Sequence, residues 1–148
     1  MNVLPRSKRL IDNFHRYDVI LIGTHVYNSL QSMFQRELLL RFPIIEEVNK
    51  GTKYGDLNKL GTRKTIYDTT PIFSICYISQ YKRRTELVGL DYEALENCIA
   101  TANMEFRGKN VATTIMGSTK FDGNGETDRI LQILEDNSNL INLDIYSN

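Results

Sequence analysis

The pattern of apolar and polar residues in the first third of the chain predicts a strand followed by a helix. The run VILIG at residues 19–23 is short, β-branched and ended by glycine, as expected of a strand covered on both faces. Apolar residues then recur at helical spacing, at Leu30, Met33, Phe34 and Leu38. Pro43 is predicted to end this helix. Asn28 and Ser29 stand where an N-cap belongs, so the first amides of this helix should face the preceding loop.

The rest of the chain alternates between strand and helix patterns in the same way. Strands are predicted from KTIYD, IFSICYIS, NVATTIM and LINLDIY, and the turn TTP joins the first two. The segments LDYEALENCIATANMEF and TDRILQILED place their apolar residues on one side of a helix. This order of elements predicts an α/β sandwich whose sheet is mixed and largely parallel.

Two loops of this arrangement are predicted to share one cleft. In such sheets, ligands bind beyond the carboxyl ends of the strands, where helix N-termini present amides to anions. The loops at residues 25–32 and 117–126 both follow a predicted strand and precede a predicted helix. The second has the composition of a phosphate loop, because Gly117, Gly123 and Gly125 allow backbone amides to turn toward a ligand. Glycine-rich turns also occur without ligands, so the motif alone is weak.

Composition narrows the class of partner. The 148 residues suit one domain spanning residues 1–148. The 18 basic residues balance 18 acidic ones, so no overall charge favours nucleic acid or a membrane surface as a partner. The densest basic segment, YKRRTE at residues 81–86, is interpreted as a solvated loop. Because no apolar leader or membrane-length run is present, the expected location is the cytoplasm.

The cysteines and histidines predict neither a disulfide framework nor a metal site. Cys76 and Cys98 lie in apolar runs, as reduced core thiols of an intracellular protein do. The two histidines add no ligand spacing, and neither a catalytic triad nor a P-loop is present. No metal and no cofactor are therefore predicted.

Six segments together resemble a macro domain, and within that family the small phage and bacterial proteins that process ADP-ribose or act as ADP-ribose-1''-phosphate phosphatases. These segments are DVILIG with FP at residues 18–43, GDLNKLGT, YISQY, LDYEAL, FRGKNVA and GSTKFDGNGETDRILQIL. They follow the family's order and span nearly all of the chain after its first 17 residues. The resemblance implies a three-layer α/β/α sandwich with an elongated cleft for ADP-ribose.

The resemblance also places unusual side chains in the first loop. The family has an asparagine that orients the distal ribose, followed by Gly-x-Gly. Matching without gaps puts His25 in place of the asparagine and Gln31 and Met33 in place of the glycines. A small change of register would instead make Asn28 the ribose residue. In both cases side chains would fill space that the sugar occupies, so hydrolysis is expected to suffer more than binding.

The N-terminal segment departs from the family as well. Macro domains usually begin with a strand that ends in Gly-Asp, and the aspartate reads the adenine amino group. Residues 1–17 predict no such strand, and Asp12 is their only acidic residue. An adenine-reading residue is therefore not assigned.

In the second loop, the resemblance is carried by Gly117 and Ser118, while Thr119 replaces a further glycine and Phe121 stands near the residue that covers the ribose. Lys120 and Asp122 suit either phosphate contacts or a turn. His25 suits a general base or a hydrogen-bonded rim residue, and Asn28 a ribose ligand or a helix cap. His25 and Asn28 are thus the catalytic candidates, and with them the candidate ligand contacts are Gln31, Ser32, Met33, Gly117, Ser118, Thr119, Phe121, Gly123 and Gly125.

Three functions fit the sequence. The preferred one is binding of ADP-ribose or a related nucleotide with little hydrolysis, because of the crowded first loop. The second is an active ADP-ribose-1''-phosphate phosphatase or ADP-ribosyl hydrolase. The third is an interaction protein that keeps the fold and binds no nucleotide.

Overall fold

The computed structural model describes residues 1–81 and 88–147, and these contain four α-helices, three short 3-10 helices and a seven-stranded sheet. The strands are β1 (Asn2–Val3), β2 (Val19–His25), β3 (Arg63–Ile66), β4 (Ile72–Tyr81), β5 (Val88–Leu90), β6 (Asn110–Thr114) and β7 (Asn142–Tyr146). The helices are α1 (Met33–Arg41), α2 (Ile44–Lys50), α3 (Tyr92–Glu105) and α4 (Thr127–Asp136).

The sheet is mixed and largely parallel, as predicted. Its strands run in the order β1-β7-β6-β2-β4-β3, and β5 also pairs with β4. The pairs β1–β7, β7–β6, β6–β2 and β2–β4 are parallel, whereas β3 and β5 are antiparallel to β4. The parallel strands therefore all end at one edge of the sheet.

Apolar residues cover both faces of the sheet. Successive β2 side chains point to opposite faces, so Ile20 belongs to one buried cluster and Leu21 to the other. The first cluster includes Leu38 of α1 and Ile45 of α2. The second includes α3 and α4 residues such as Leu95, Ile99, Ile130 and Leu134. Helices on both faces give the predicted three-layer α/β/α sandwich.

The N-terminal segment contains a short strand that the sequence did not predict, although this strand does not end in the family's Gly-Asp pair. β1 is two residues long, and Asn2 and Val3 pair in parallel with Asp144 and Ile145 of β7. Both β1 residues are exposed, so no apolar pattern marks the strand in the sequence. The pairing depends on β7, which lies more than 130 residues further along the chain.

Helix α1 begins later than expected. Its N-cap is Ser32 rather than Asn28 or Ser29, and the Ser32 side chain accepts a hydrogen bond from the Gln35 backbone N–H. The Gln35 side chain in turn accepts from the Ser32 backbone N–H, which completes a capping box. The Ser-x-x-Gln spacing of these two residues was the overlooked sequence signal.

No helix within the two described ranges is both long enough and apolar enough to cross a membrane. Apart from the backbone of Tyr81, the basic YKRRTE segment lies outside the described residues.

Candidate functional site

The loops after β2 and β6 lie side by side at one edge of the sheet. β2 and β6 are parallel neighbours, with Val19 opposite Val111 in their shared register. Their carboxyl ends, at His25 and Thr114, therefore face the same side. The prediction that both candidate loops share an edge is confirmed. We call this edge, formed by the ends of β2, β4, β6 and β7, the carboxyl rim.

A cavity of about 260 Å³ opens at the carboxyl rim. Its wall combines the segment after β1, the first turns of α1, the last residue of β6 and the residue that follows β7. Residues that line it include Arg6, Lys8, Leu10, Met33, Phe34 and Thr114. Met33 is 79% exposed, so its side chain stands at the mouth of the cavity rather than within the protein. Of the predicted ligand contacts, Met33 is the one that this cavity includes.

The wall of the rim cavity is basic. Arg6, Lys8 and Arg9 come from the segment after β1, and all three are exposed. Glu37 of α1 also lines the cavity, and it forms an ion pair with Arg9. The remaining charge of Arg6 and Lys8 suits an anionic ligand. Sequence reasoning missed these cations, although three of them fall within residues 6–9, because no apolar pattern placed that segment beside the candidate loops.

A second cavity, of about 640 Å³, lies at the opposite edge of the sheet. Its lining includes Tyr17, which precedes β2, and Thr70 and Pro71, which precede β4. Asp12 lines this cavity and not the one at the carboxyl rim. The only acidic residue of the N-terminal segment therefore does not line the rim cavity, although its neighbour Ile11 lines both cavities.

His25 is held by its own loop. The residue is 1% exposed, its Nδ1 accepts from the Tyr27 backbone N–H at 3.0 Å, and its Nε2 lies 3.0 Å from Ser29 Oγ. Because Nδ1 accepts, the neutral ring carries its proton on Nε2 and donates it to Ser29. Burial, and secondly the charge of Lys59, lower the pKa of His25 to about 4. These contacts fit the rim-residue interpretation and not that of a general base.

Asn28 is likewise engaged within the protein. Its backbone is in the left-handed region, with φ of 59°, which asparagine tolerates better than most residues. Its Nδ2 donates to the Thr52 carbonyl at 2.7 Å, and its Oδ1 accepts from Lys59 Nζ at 2.6 Å. Asn28 is thus neither the helix cap nor directed at the rim cavity.

Lys59 is the centre of a polar cluster that sequence reasoning missed. It is only 9% exposed, and its Nζ donates to Asn28 Oδ1 and to Thr52 Oγ1 at 3.0 Å. The ammonium also lies 4.9 Å from the centre of the Tyr77 ring, within the range of a cation–π contact. Burial lowers the pKa of Lys59. The cluster ties the first loop to residues 52–59 and fixes its shape.

We expect Lys59→Met to destabilise the protein by about 1 to 2 kcal/mol, because Asn28 Oδ1 loses a buried donor. The pKa of His25 should rise above its value of about 4, since a nearby positive charge is removed. Urea unfolding and NMR titration of the His25 ring protons measure the two effects. Lys53→Met, which removes an exposed lysine from the same loop, is the matched control. A His25 pKa that stays unchanged would rule out the electrostatic link.

The segment between the first loop and α1 is shaped by Gln35. Its side chain accepts from the backbone N–H groups of Gln31 and Ser32 and donates to the Gly23 carbonyl at 2.6 Å. Ser32 is buried and serves as the helix cap, whereas the Gln31 side chain is exposed. Gln35 therefore joins the start of α1 to the end of β2.

The glycines of the second loop are required by contacts inside the protein. Gly117 has a φ of 85°, and a β-carbon there would lie 2.8 Å from Leu90 Cδ1. A β-carbon on Gly125 would lie 2.5 Å from Leu90 Cδ2, and one on Gly123 would lie 2.8 Å from Leu90 Cβ. The loop thus needs these glycines to approach β5, which accounts for the composition without a ligand.

Polar groups of the second loop are also directed inward. Ser118 Oγ donates to the Ile115 carbonyl at 2.6 Å. The backbone N–H groups of Gly117 and Thr119 both donate to the carboxylate of Asp122, which is 2% exposed. The amides predicted to face a phosphate therefore already have an anionic partner.

Phe121 brings the second loop close to α1. Its ring centre lies 6.0 Å from the guanidinium carbon of Arg36 and 5.1 Å from Lys120 Nζ. The structure thus places an aromatic ring and two cations together at the carboxyl rim. His25 and Asn28 lie on the inner side of the first loop and are not part of this group.

Among the described residues, no group of three or more His, Cys, Asp or Glu side chains is arranged to hold a metal ion. Cys76 and Cys98 are buried thiols, as the sequence predicted.

The sequence matches no protein-family model and no curated protein. Several solved structures nevertheless have the same fold. Thermosipho africanus DarTG in complex with ADP-ribose matches with a TM-score of 0.73 and 10% identity, over 100% of this chain and 42% of that one. The macrodomain of Mycobacterium tuberculosis DarG has a TM-score of 0.69 and 12% identity, over 97% and 96% of the two chains. For the macrodomain of Thermus aquaticus DarG the values are 0.67 and 9%, over 99% and 95%.

Proposed function

Because the chain has the macrodomain fold, we propose that it binds ADP-ribose or a related nucleotide at the carboxyl rim. The observation that carries this proposal is the rim cavity, whose wall combines the apolar side chains Leu10 and Phe34 with the cations Arg6 and Lys8. Apolar surface suits a base or ribose face, and the cations suit a diphosphate. The Thermosipho africanus neighbour, which shares the fold, is in complex with ADP-ribose.

We further propose that binding occurs with little hydrolysis. A general base must reach the attacking water, but the ring nitrogens of His25 are held by its own loop. The side-chain amide of Asn28 is held by Thr52 and Lys59. Neither catalytic candidate therefore presents its polar atoms to the rim cavity.

Charge reversal at the rim cavity tests the binding proposal. Arg6→Glu combined with Lys8→Glu should weaken ADP-ribose binding about tenfold at low salt, because two attractions to the diphosphate become repulsions. Isothermal titration calorimetry measures the affinity. The matched control is Arg107→Glu combined with Lys109→Glu, which makes the same change of net charge between α3 and β6, at the opposite edge of the sheet. Equal losses in both double variants would contradict a site at the rim cavity.

The same titrations separate the three functions. Chromatography of the ligand after incubation detects hydrolysis. Rapid release of product would show that the protein is a hydrolase and would contradict the proposal of binding with little hydrolysis. If neither ADP-ribose nor its 1''-phosphate produces heat or raises the melting temperature, both nucleotide functions are contradicted. The third function, an interaction protein that binds no nucleotide, would then be favoured. Binding by the wild-type chain with the ligand recovered intact supports the proposal.

A further inference from the structure

The turn between β6 and α4 has the construction of an anion site. Three donors converge on two carboxylate oxygens. The backbone N–H of Gly117 donates to Asp122 Oδ2 at 2.9 Å, while the backbone N–H and the hydroxyl of Thr119 donate to Oδ1 at 2.8 and 2.6 Å. Backbone amides that a turn directs to one point form a concavity that binds anions, and the left-handed backbone of Gly117 shapes this turn. The Ser118 amide between the two donors is directed elsewhere, to the Ile115 carbonyl.

The anion in this concavity belongs to the chain itself. Asp122 is 2% exposed, and the donors around its carboxylate are backbone amides and a hydroxyl. Burial raises the pKa of Asp122, which these hydrogen bonds counteract. A buried carboxylate is stable only when such donors replace its water.

Asp122 is also fixed from two other directions. Its carbonyl accepts from Ser79 Oγ of β4 at 2.7 Å, and the carbonyl of the next residue, Gly123, accepts from the Leu90 backbone N–H of β5 at 2.8 Å. These contacts hold the carboxylate in the concavity, so an external anion cannot enter without moving it.

We propose that the second loop is an oxyanion site that Asp122 occupies in cis. The site has the donors for phosphate or a carboxylate, and the chain's own carboxylate excludes both. Asp122 occupies the second loop whether or not a nucleotide binds at the rim cavity. If a nucleotide binds at the rim, its phosphates contact groups other than the amides of Gly117 and Thr119.

Removal of the carboxylate tests the proposal. Asp122→Ala leaves a space lined by the donors of Gly117 and Thr119, which inorganic phosphate can fill. The melting temperature of this variant should be lower than that of the wild type in chloride and should rise by roughly 5 °C in saturating phosphate at matched ionic strength. The wild type should change by no more than Asp68→Ala, which removes an exposed carboxylate in the turn between β3 and β4.

A second variant keeps the test decisive if Asp122→Ala does not fold in chloride. Asp122→Asn fills the space but offers one acceptor, so the amide of Gly117 or Thr119 should exchange hydrogen at least about tenfold faster than in the wild type. Unchanged exchange at both amides would overturn the proposal. Equal phosphate stabilisation of the wild type and Asp122→Ala would also overturn it, since the phosphate would then bind elsewhere.

Discussion

Between pH 7 and pH 4, the protein should lose about 3 kcal/mol of its free energy of unfolding through His25 alone. The unfolded chain protonates this imidazole near pH 6.5, whereas the folded chain does so only near pH 4. Burial of the ring and, secondly, the charge of Lys59 lower the pKa of His25 in the folded chain. Between the two pKa values only the unfolded state binds the proton, so the contribution is complete above pH 6.5 and is lost as the pH falls toward 4.

Urea unfolding at pH 7, 5.5 and 4 measures this loss, and His25→Asn isolates it. The asparagine offers an acceptor to the Tyr27 N–H but does not titrate. Asp122, whose raised pKa acts in the opposite direction, is present in both proteins and cancels in the difference. His15→Asn, at the exposed second histidine, is the control and should follow the wild type. If His25→Asn loses as much stability as the wild type, a protonated His25 is tolerated and the assigned burial penalty is wrong.

The sequence predicts the layers of the fold because their elements carry long apolar patterns. β2 is buried along its whole length, and α3 and α4 place their apolar residues on one side. The elements that were missed are short or have no such pattern. α2 has seven residues and β1 two exposed ones, and each contacts a distant segment: Asn49 of α2 accepts from the Tyr77 hydroxyl, and β1 pairs with β7. Pattern reasoning has no access to that stabilisation.

The shared edge of the two candidate loops was predictable, but the side chains that line the cavity there were not. Parallel strand order places both loops at one edge, which follows from topology. Whether a polar side chain faces a ligand or the protein depends on partners far along the chain. The side chain of Asn28 accepts a hydrogen bond from Lys59, which lies 31 residues away in the sequence. The carbonyl of Asp122 accepts one from Ser79, which lies 43 residues away. The second loop has the glycine content of a phosphate loop, but the space that its glycines leave is filled by the side chain of Leu90.

Gly23→Ala should destabilise the protein by about 3 kcal/mol, at the upper end of overpacking effects. Gly23 lies in β2 just below the carboxyl rim, and a β-carbon there would be 2.6 Å from Met116 Cβ and 2.8 Å from Ile78 Cδ1. The Ile78 methyl can rotate away, but Met116 Cβ is fixed to the backbone where the second loop begins. The second loop would therefore have to move away from β2.

A double-mutant cycle with Met116→Gly attributes the loss to this contact. The second substitution removes the opposing β-carbon, so the double variant should be at least about 1 kcal/mol more stable than the sum of the single losses implies. Gly51→Ala, whose β-carbon would meet its nearest atom at an ordinary 3.4 Å, is the control and should change stability little. Urea unfolding measures the stability of the four proteins of the cycle and of the control. Strict additivity would show that the strain arises elsewhere, and the separation between β2 and the second loop would then not be set by the missing side chain of Gly23.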